Sequence, residues 1–224
     1  MSSKDARMAE LDGPRWEPRS GRATKLVVLC HGVGADGNDL IDLAPLWSQA
    51  LPDAAFVAPH GPEPYDGAPF GRQWFSLADR SPAVLAAGMG AAAPLLDRFI
   101  DAELARLGLP AHAYALMGFS QGAMIALFTG LRRQPPPRAI LAYSGALVGA
   151  ERLEAEPTGR PPVLLVHGEA DEVVPVALGR NAERALIRAG LAVETLYCPG
   201  LGHGLDDAGL SAGALFLQRA FSEA

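Results

Sequence analysis

A serine between two glycines is the residue whose surroundings most clearly predict chemistry. Ser120 lies in the pentapeptide Gly118-Phe119-Ser120-Gln121-Gly122, a G-x-S-x-G pattern. The apolar run Tyr-Ala-Leu-Met precedes it and the helix-like run Ala-Met-Ile-Ala-Leu-Phe follows it. A strand, a sharp turn and a helix in that order present a serine hydroxyl as a nucleophile. The competing interpretation is a helix-capping serine, but capping does not explain a glycine on both sides.

A serine nucleophile needs a general base, and on a sheet of this kind the base follows the serine and the acid in the chain. His203 fits this order, because it lies between Gly202 and Gly204 in the loop after an apolar, strand-like run. We therefore predict that His203 is the base. The other histidines precede the candidate acid or adjoin a strand, and we expect structural roles for them: His31, His60, His112 and His167.

The acid that orients the base should lie in the loop after the strand Val163–Val166. That loop contains three carboxylates, Glu169, Asp171 and Glu172. Position along the chain is compatible with any of them, so the choice stays open on this ground alone.

A glycine-rich loop, His31-Gly32-Val33-Gly34, follows the strand-like run Leu26–Cys30. In α/β hydrolases such a loop supplies one backbone N–H to the oxyanion, and the residue after the nucleophile supplies the other. These donors would be Val33 and Gln121 here. Each such donor is worth about 3 kcal/mol of transition-state stabilisation.

The same loop also satisfies the dinucleotide-binding pattern G-x-G-x-x-G at Gly32, Gly34 and Gly37. An NAD(P)-binding oxidoreductase is therefore the alternative function. It requires an acidic residue at the end of the second strand, but that strand ends in Ala-Pro-His-Gly. The helix after the loop is also interrupted by Pro45. The hydrolase interpretation requires no cofactor and no metal, and the aspartates near the loop lack the register of a calcium site.

The elements that must position these residues alternate along the chain, which predicts an α/β fold with a mostly parallel central sheet and helices on both faces. The connecting segments are too short for a large cap domain. Continuous hydrophobicity predicts buried central strands at Leu26–Cys30, Ala55–Ala58, Tyr114–Gly118, Ala139–Tyr143, Val163–Val166 and Ala192–Tyr197. Helices are predicted at Ser81–Leu107, Gln121–Arg133, Val176–Ala189 and Gly209–Ser222.

Two segments are predicted to be irregular loops above the sheet, Gly61–Pro82 and Leu147–Pro162. The first contains an aromatic cluster of Tyr65, Phe70, Trp74 and Phe75. We expect Trp74, Phe75 and Phe70 to line an acyl groove, and the alternative is that they anchor the loop to the core. The apolar part of this loop, Gly61–Phe75, could also support a homodimer.

Composition sets broad limits on location and partners. The chain has 224 residues, 49% of them hydrophobic, and a net charge of −6, which argues against nucleic acid as a partner. We expect one catalytic domain over residues 23–224, preceded by a tail or edge strand over residues 1–22. The start of the chain shows neither a signal peptide nor a membrane span, so we expect a cytoplasmic protein without stable membrane insertion. Cys30 and Cys198 are expected to be buried free thiols.

Five ordered motifs give the chain a marked resemblance to bacterial carboxylesterases and phospholipases that are similar to acyl-protein thioesterases, in the α/β-hydrolase superfamily. The motifs are residues 31–39, Arg72-Gln73-Trp74-Phe75, residues 118–124, His167-Gly168-Glu169-Ala170-Asp171 with Val173-Val174-Pro175, and Gly202-His203. The chain departs from the family at Cys30, where leucine is more usual, and at Ala123, where glycine is common.

The resemblance implies Ser120, Asp171 and His203 as the catalytic triad, and thereby selects Asp171 among the three carboxylates. It also implies Val33 and Gln121 as oxyanion donors in an enzyme without a cofactor. The substrates it implies are short-to-medium acyl esters, with thioesters or lysophospholipids as further substrates.

Overall fold

Successive side chains of a strand point to opposite faces of a sheet, so a strand that is apolar throughout needs a cover on both faces. The computed structural model describes residues 10–153 and 159–222, and it meets this need with one seven-stranded sheet in the order β1-β3-β2-β6-β7-β8-β9. All neighbouring strands are parallel except β1 and β3. The strands are β1 (Arg15–Trp16), β2 (Lys25–Cys30), β3 (Ala54–Val57), β6 (Tyr114–Phe119), β7 (Ile140–Tyr143), β8 (Val163–Gly168) and β9 (Val193–Cys198), and β4 (Glu63–Pro64) and β5 (Arg72–Gln73) form a separate antiparallel pair.

Two apolar cores, one on each face of the sheet, hold the helices in place. Leu26, Val28 and Cys30 of β2 face one core, and Val27 and Leu29 face the other. The first core takes in α3 (Pro82–Leu107), α4 (Gln121–Arg132) and α5 (Val176–Arg188), and the second takes in α1 (Gly37–Ile41), α2 (Ala44–Ala50) and α6 (Asp207–Ser222). The predicted three-layer α/β architecture is therefore confirmed.

The predicted strands and long helices all form, with ends displaced by no more than two residues. One expectation about them was wrong: β9 is not a central strand but an edge strand, and Glu194 and Thr195 are exposed on it. The short elements α1, α2, β4 and β5 were not predicted, and β1 lies in the segment that was expected to be a tail or an edge strand. Pro45 lies in the first turn of α2, where a proline needs no N–H partner, so it starts a new helix after α1 instead of kinking one helix.

The segment before residue 23 contributes an edge strand where it is described. Arg15 pairs with Val57 and Trp16 with Phe56, both antiparallel. The Arg15 guanidinium also binds the buried Glu103 carboxylate on α3, at 2.6 Å from Nη2 to Oε1. Residues 1–9 of the predicted tail and residues 154–158 of the predicted Leu147–Pro162 loop lie outside the described residues.

Among the described residues, one helix, α3, is long and apolar enough to cross a membrane by length and composition. Its Met89, Leu96 and Ile100 are fully buried in the first core, and α3 packs against α4. A core helix of a globular domain passes the same test, and the burial of these three side chains fits that role.

Candidate active site

The turn between β6 and α4 forces Ser120 into an unusual backbone conformation. Its φ is +56° and its ψ is −118°, which an L-residue adopts only when the surrounding structure holds it there. A Cβ on Gly118 would lie 2.1 Å from the Gly122 carbonyl oxygen, and one on Gly122 would lie 1.8 Å from the Cys30 carbonyl oxygen. Glycine is therefore required on both sides of Ser120, as the G-x-S-x-G pattern predicted.

Three side chains from three different loops meet at this turn. The Ser120 hydroxyl lies 3.0 Å from Nε2 of His203, and Nδ1 of His203 lies 2.8 Å from Oδ2 of Asp171. With Nδ1–H donating to the carboxylate, Nε2 is left free to accept the serine proton. The structure thus brings together the three residues that the motifs and the resemblance selected, in the geometry that general-base activation of a serine requires.

The Asp171 carboxylate is buried, and hydrogen bonds to both of its oxygens replace the water it has lost. Its Oδ1 accepts the backbone N–H groups of Val173 at 2.9 Å and Val174 at 2.8 Å. Burial alone would raise the pKa of Asp171, but the hydrogen bonds from His203 and from these two N–H groups outweigh it and hold the pKa below its ordinary value. The carboxylate therefore remains ionised opposite an imidazolium.

Among the described residues, His203 bonds neither of the rival acids of this loop. Glu169 forms a salt bridge with Arg180 at 2.9 Å, and Glu172 is exposed. His167, the other histidine near the acid, donates from Nε2 to the Val174 carbonyl oxygen at 2.7 Å. It holds the loop that carries Asp171.

His31 has a structural role as well. Its Nε2 accepts the Gly61 N–H at 2.8 Å and its Nδ1–H donates to the Gly32 carbonyl oxygen at 2.7 Å. Burial lowers the pKa of His31, so the ring stays neutral between these two partners.

The two predicted oxyanion donors flank Ser120. Val33 belongs to the loop after β2, and Gln121 is the first residue of α4, where backbone N–H groups have no partner within the helix. Within the described residues, neither N–H takes part in a hydrogen bond. Both residues line the same cleft as Ser120. A carbonyl oxygen of a substrate bound there would find two unpaired donors.

The cleft beside Ser120 has a volume of about 440 Å³ and a mainly apolar wall. Its wall combines the start of α3, the first turn of α4, the loop after β7 and the start of α5. The apolar side chains in it are Leu77, Leu85, Met124, Leu147, Val148 and Leu178, with Val173 and Val174 behind the acid. Arg80 and Glu151 are its charged members. Sequence reasoning missed this wall, because Leu85, Met124 and Leu178 occupy helix positions that are typical of ordinary core packing.

The aromatic residues expected to line the groove lie elsewhere. Trp74 and Phe75 are only 1% and 3% exposed and belong to the core under α3, and Phe70 is 75% exposed outside the cleft. The alternative expectation, that the aromatic side chains anchor the loop to the core, holds for Trp74 and Phe75. The Trp74 indole N–H donates to the His31 carbonyl oxygen, and the Gln121 side chain bonds the backbone of both aromatic residues.

The dinucleotide-binding alternative requires a helix after the glycine-rich loop whose N-terminus holds the pyrophosphate. The helix after Gly32 and Gly34 has only five residues, and the Asp36 carboxylate caps it by accepting the Asn38 N–H at 2.7 Å. An anionic cap occupies the place that a pyrophosphate would need. Among the described residues, no cluster of His, Cys, Asp and Glu could hold a metal ion.

Similarity to known proteins shows the family of the chain. The model of the phospholipase/carboxylesterase family matches residues 12–220. The chain belongs to the phospholipase/carboxylesterase family. Two relatives are esterase YpfH of Escherichia coli K12, which is 31% identical over 83% of this chain and 78% of its own, and acyl-protein thioesterase 1 of Neurospora crassa, which is 29% identical over 85% and 84%.

Solved structures give the same result for the fold. The crystal structure of esterase PE8 superposes with a TM-score of 0.89 and 44% sequence identity, over 95% of this chain and 100% of the other. The Bacillus cereus carboxylesterase, at 17% identity and a TM-score of 0.76, shares the fold. This member of the phospholipase/carboxylesterase family is therefore a hydrolase with the α/β-hydrolase fold, and the comparisons do not support the oxidoreductase alternative.

Proposed function

We propose that the chain hydrolyses carboxylic esters through an acyl-enzyme on Ser120, with His203 as general base and Asp171 as the acid that orients it. The observation that carries the proposal is the unbroken series Ser120 Oγ, His203 Nε2, His203 Nδ1 and Asp171 Oδ2, with separations of 3.0 and 2.8 Å across its two hydrogen bonds. The Val33 and Gln121 N–H groups serve as the oxyanion donors.

In the first half-reaction, Ser120 Oγ bonds to the carbonyl carbon as its proton passes to Nε2 of His203. The negative charge that develops on the carbonyl oxygen is stabilised by the N–H groups of Val33 and Gln121. When the tetrahedral intermediate collapses, the bond to the alcohol or thiol breaks and His203 returns the proton to the leaving group. Water then attacks the acyl-enzyme by the same steps, with His203 as base. The ester bond to Ser120 breaks, the serine recovers its proton from His203, and the carboxylic acid product leaves.

The apolar cleft supports short-to-medium acyl chains as the part of the substrate that is bound next to Ser120. Thioesters and lysophospholipids are proposed as further substrates, since one relative is named an acyl-protein thioesterase and the family is named for phospholipases as well as carboxylesterases. Hydrolysis of an oxyester and a thioester with the same acyl chain would compare the two leaving groups directly.

We further propose a cytoplasmic protein with one catalytic domain over residues 23–224 and an N-terminal edge-strand segment over residues 1–22. Phe70, the most exposed large apolar side chain of the Gly61–Phe75 loop, supports a homodimer through that loop. Light scattering of the wild-type protein and of Phe70→Ser would test the dimer.

A fluorophosphonate probe tests the nucleophile, because it labels serines that a base has activated. We expect stoichiometric labelling of the wild-type protein and none of Ser120→Ala. Ser144 is a matched control, since it is buried and also has a positive φ, of +48°. Ser144→Ala should still be labelled. Labelling that survives Ser120→Ala would overturn the proposed function.

A further inference from the structure

Trp74 makes two hydrogen bonds to two different elements of the site. Its main-chain N–H donates to Oε1 of Gln121 at 2.9 Å, and its indole N–H donates to the carbonyl oxygen of His31, also at 2.9 Å. The indole is 1% exposed and lies 5.6 Å from the His31 ring, centroid to centroid. A single buried residue thus bonds both the start of α4 and the loop after β2.

These two elements carry the two oxyanion donors of the proposed function. Val33 follows His31 by two residues, and Gln121 supplies its own N–H from the same residue whose side chain holds Trp74. Ser120 directly precedes Gln121, and the parallel pairing of β2 with β6 holds the two strand ends together up to Cys30 and Gly118. Val33 lies three residues beyond the end of this pairing. Beyond the strand pairing, Trp74 bonds both elements, through the His31 carbonyl oxygen and the Gln121 side chain.

The surrounding contacts make the bridge stiff. Nε2 of Gln121 donates to the Phe75 carbonyl oxygen at 2.7 Å, so the amide of Gln121 is held on both sides. Backbone bonds from Gly34 N to Arg72 O and from Arg72 N to Ala35 O, both 2.8 Å, join the loop after β2 to the segment that carries Trp74.

We propose that Trp74 is a positioning residue that sets the separation of the Val33 and Gln121 N–H groups, and so acts on the transition state without touching the substrate. The inference rests on the proposed function. It assigns Trp74 a role different from groove lining, since Trp74 lies outside the cleft wall. Loss of the indole N–H leaves the His31 carbonyl oxygen without this donor. The loop that carries Val33 then loses one of the hydrogen bonds that fix it, while its bonds to Arg72 remain.

The test is Trp74→Phe, which keeps the main-chain N–H and most of the ring but removes the indole N–H. Trp47→Phe is the matched control: Trp47 is 0% exposed, and its indole N–H donates to a backbone carbonyl oxygen, that of Leu210, at 3.1 Å in the core on the other face of the sheet. Both variants should lose thermal stability. Only Trp74→Phe should lose kcat, by about ten- to a hundredfold, the scale expected for a small misplacement of catalytic groups.

Three measurements separate positioning from a general structural effect. KM and the preference among acyl-chain lengths should stay within about twofold of the wild-type values in Trp74→Phe, since the cleft wall is unchanged. A trifluoromethyl ketone, whose adduct with Ser120 places an oxyanion between the donors, should bind Trp74→Phe more weakly by the factor lost in kcat/KM. An alcohol of the same chain length, which forms no oxyanion, should bind both proteins equally.

Equal losses of kcat in Trp74→Phe and Trp47→Phe, or a changed acyl-length preference in Trp74→Phe alone, would overturn the positioning role while leaving serine hydrolysis intact. Failure of the proposed function itself would be seen separately, as probe labelling that does not depend on Ser120. If Trp74→Phe does not fold, replacement of Trp74 by 3-benzothienylalanine, which has sulfur in place of the N–H, allows the same comparison.

Discussion

Oδ2 of Asp171 lies 2.8 Å from Nδ1 of His203, while Oδ1 of the same carboxylate accepts the N–H groups of Val173 and Val174. One oxygen is thus used to orient the imidazole and the other to hold the carboxylate in place. The Val174 carbonyl oxygen is in turn bonded by His167. The Asp171 carboxylate is therefore held at both oxygens in the absence of substrate.

Asp171→Asn should lower kcat by about 10⁴-fold, because an amide facing Nδ1 favours the wrong imidazole tautomer. Steady-state ester hydrolysis measures the loss. Glu169→Gln is the control, since Glu169 is in the same loop but pairs with Arg180 at the surface, and it should leave kcat unchanged within about twofold. The reverse pattern, with Glu169→Gln inactive and Asp171→Asn active, would show that the acid is wrongly assigned.

Leu178 and Ile187 are both half-exposed on α5, but only Leu178 lines the cleft. Leu178→Ala removes apolar surface worth about 1–2 kcal/mol when a long acyl chain covers it. We expect kcat/KM for medium-chain esters to fall about five- to thirtyfold while that for acetate esters is unchanged. A series of p-nitrophenyl esters measures both. Ile187→Ala should alter neither, and an equal loss for acetate would place Leu178 outside the acyl site.

The buried carboxylate of Glu103 predicts a pH-dependent stability. Burial raises its pKa, but hydrogen bonds from Arg15 and Arg106 outweigh this and hold the pKa below its ordinary value. Such a group contributes stability above its unfolded pKa, and the contribution is lost as the pH falls through the folded pKa. Glu103→Gln should therefore lower the free energy of unfolding by about 1–3 kcal/mol at pH 7, and the difference should shrink under acid.

Urea unfolding at several pH values between 7 and 3 measures this difference. Glu17 is the control, because it also pairs with Arg106 but lies at the surface, 3.4 Å from Nη1. Glu17→Gln should change the free energy of unfolding little at any pH. A Glu103→Gln deficit that stayed constant down to pH 3 would mean that the lost stability does not come from the ionised carboxylate.

Much of the fold could be predicted, because strands that are covered on both faces leave a continuous apolar run in the sequence. The run Leu26–Cys30 and the pattern around Ser120 belong to this class, and the structure places both as expected. The edge position of β9 could have been inferred from Glu194 and Thr195, whose polarity interrupts its run. Elements of two residues, such as β4 and β5, bury too little surface to leave a pattern.

The cleft wall and the role of Trp74 were beyond prediction for a different reason. Leu85 and Leu147 are 62 positions apart in the chain and become neighbours of one cavity only through tertiary packing. An aromatic residue in a loop is equally suited to bind an apolar ligand or to fill a core, and burial alone distinguishes the two. The role of His167 could not be predicted either, although it is close to Asp171 in the sequence. Its hydrogen bond to the Val174 carbonyl oxygen depends on the path of the loop between them.

Both edges of the sheet are unfavourable for pairing with a strand of another molecule. One is formed by β1, only two residues long, and the other by β9, where the exposed Glu194 carboxylate is bound by Arg219 at 2.6 Å. A short strand and outward charges are the features by which natural sheets discourage intermolecular strand addition and fibril growth. Self-association of this enzyme would therefore have to use side-chain surfaces, and the concentrated protein should resist conversion to extended β-aggregates as long as it stays folded.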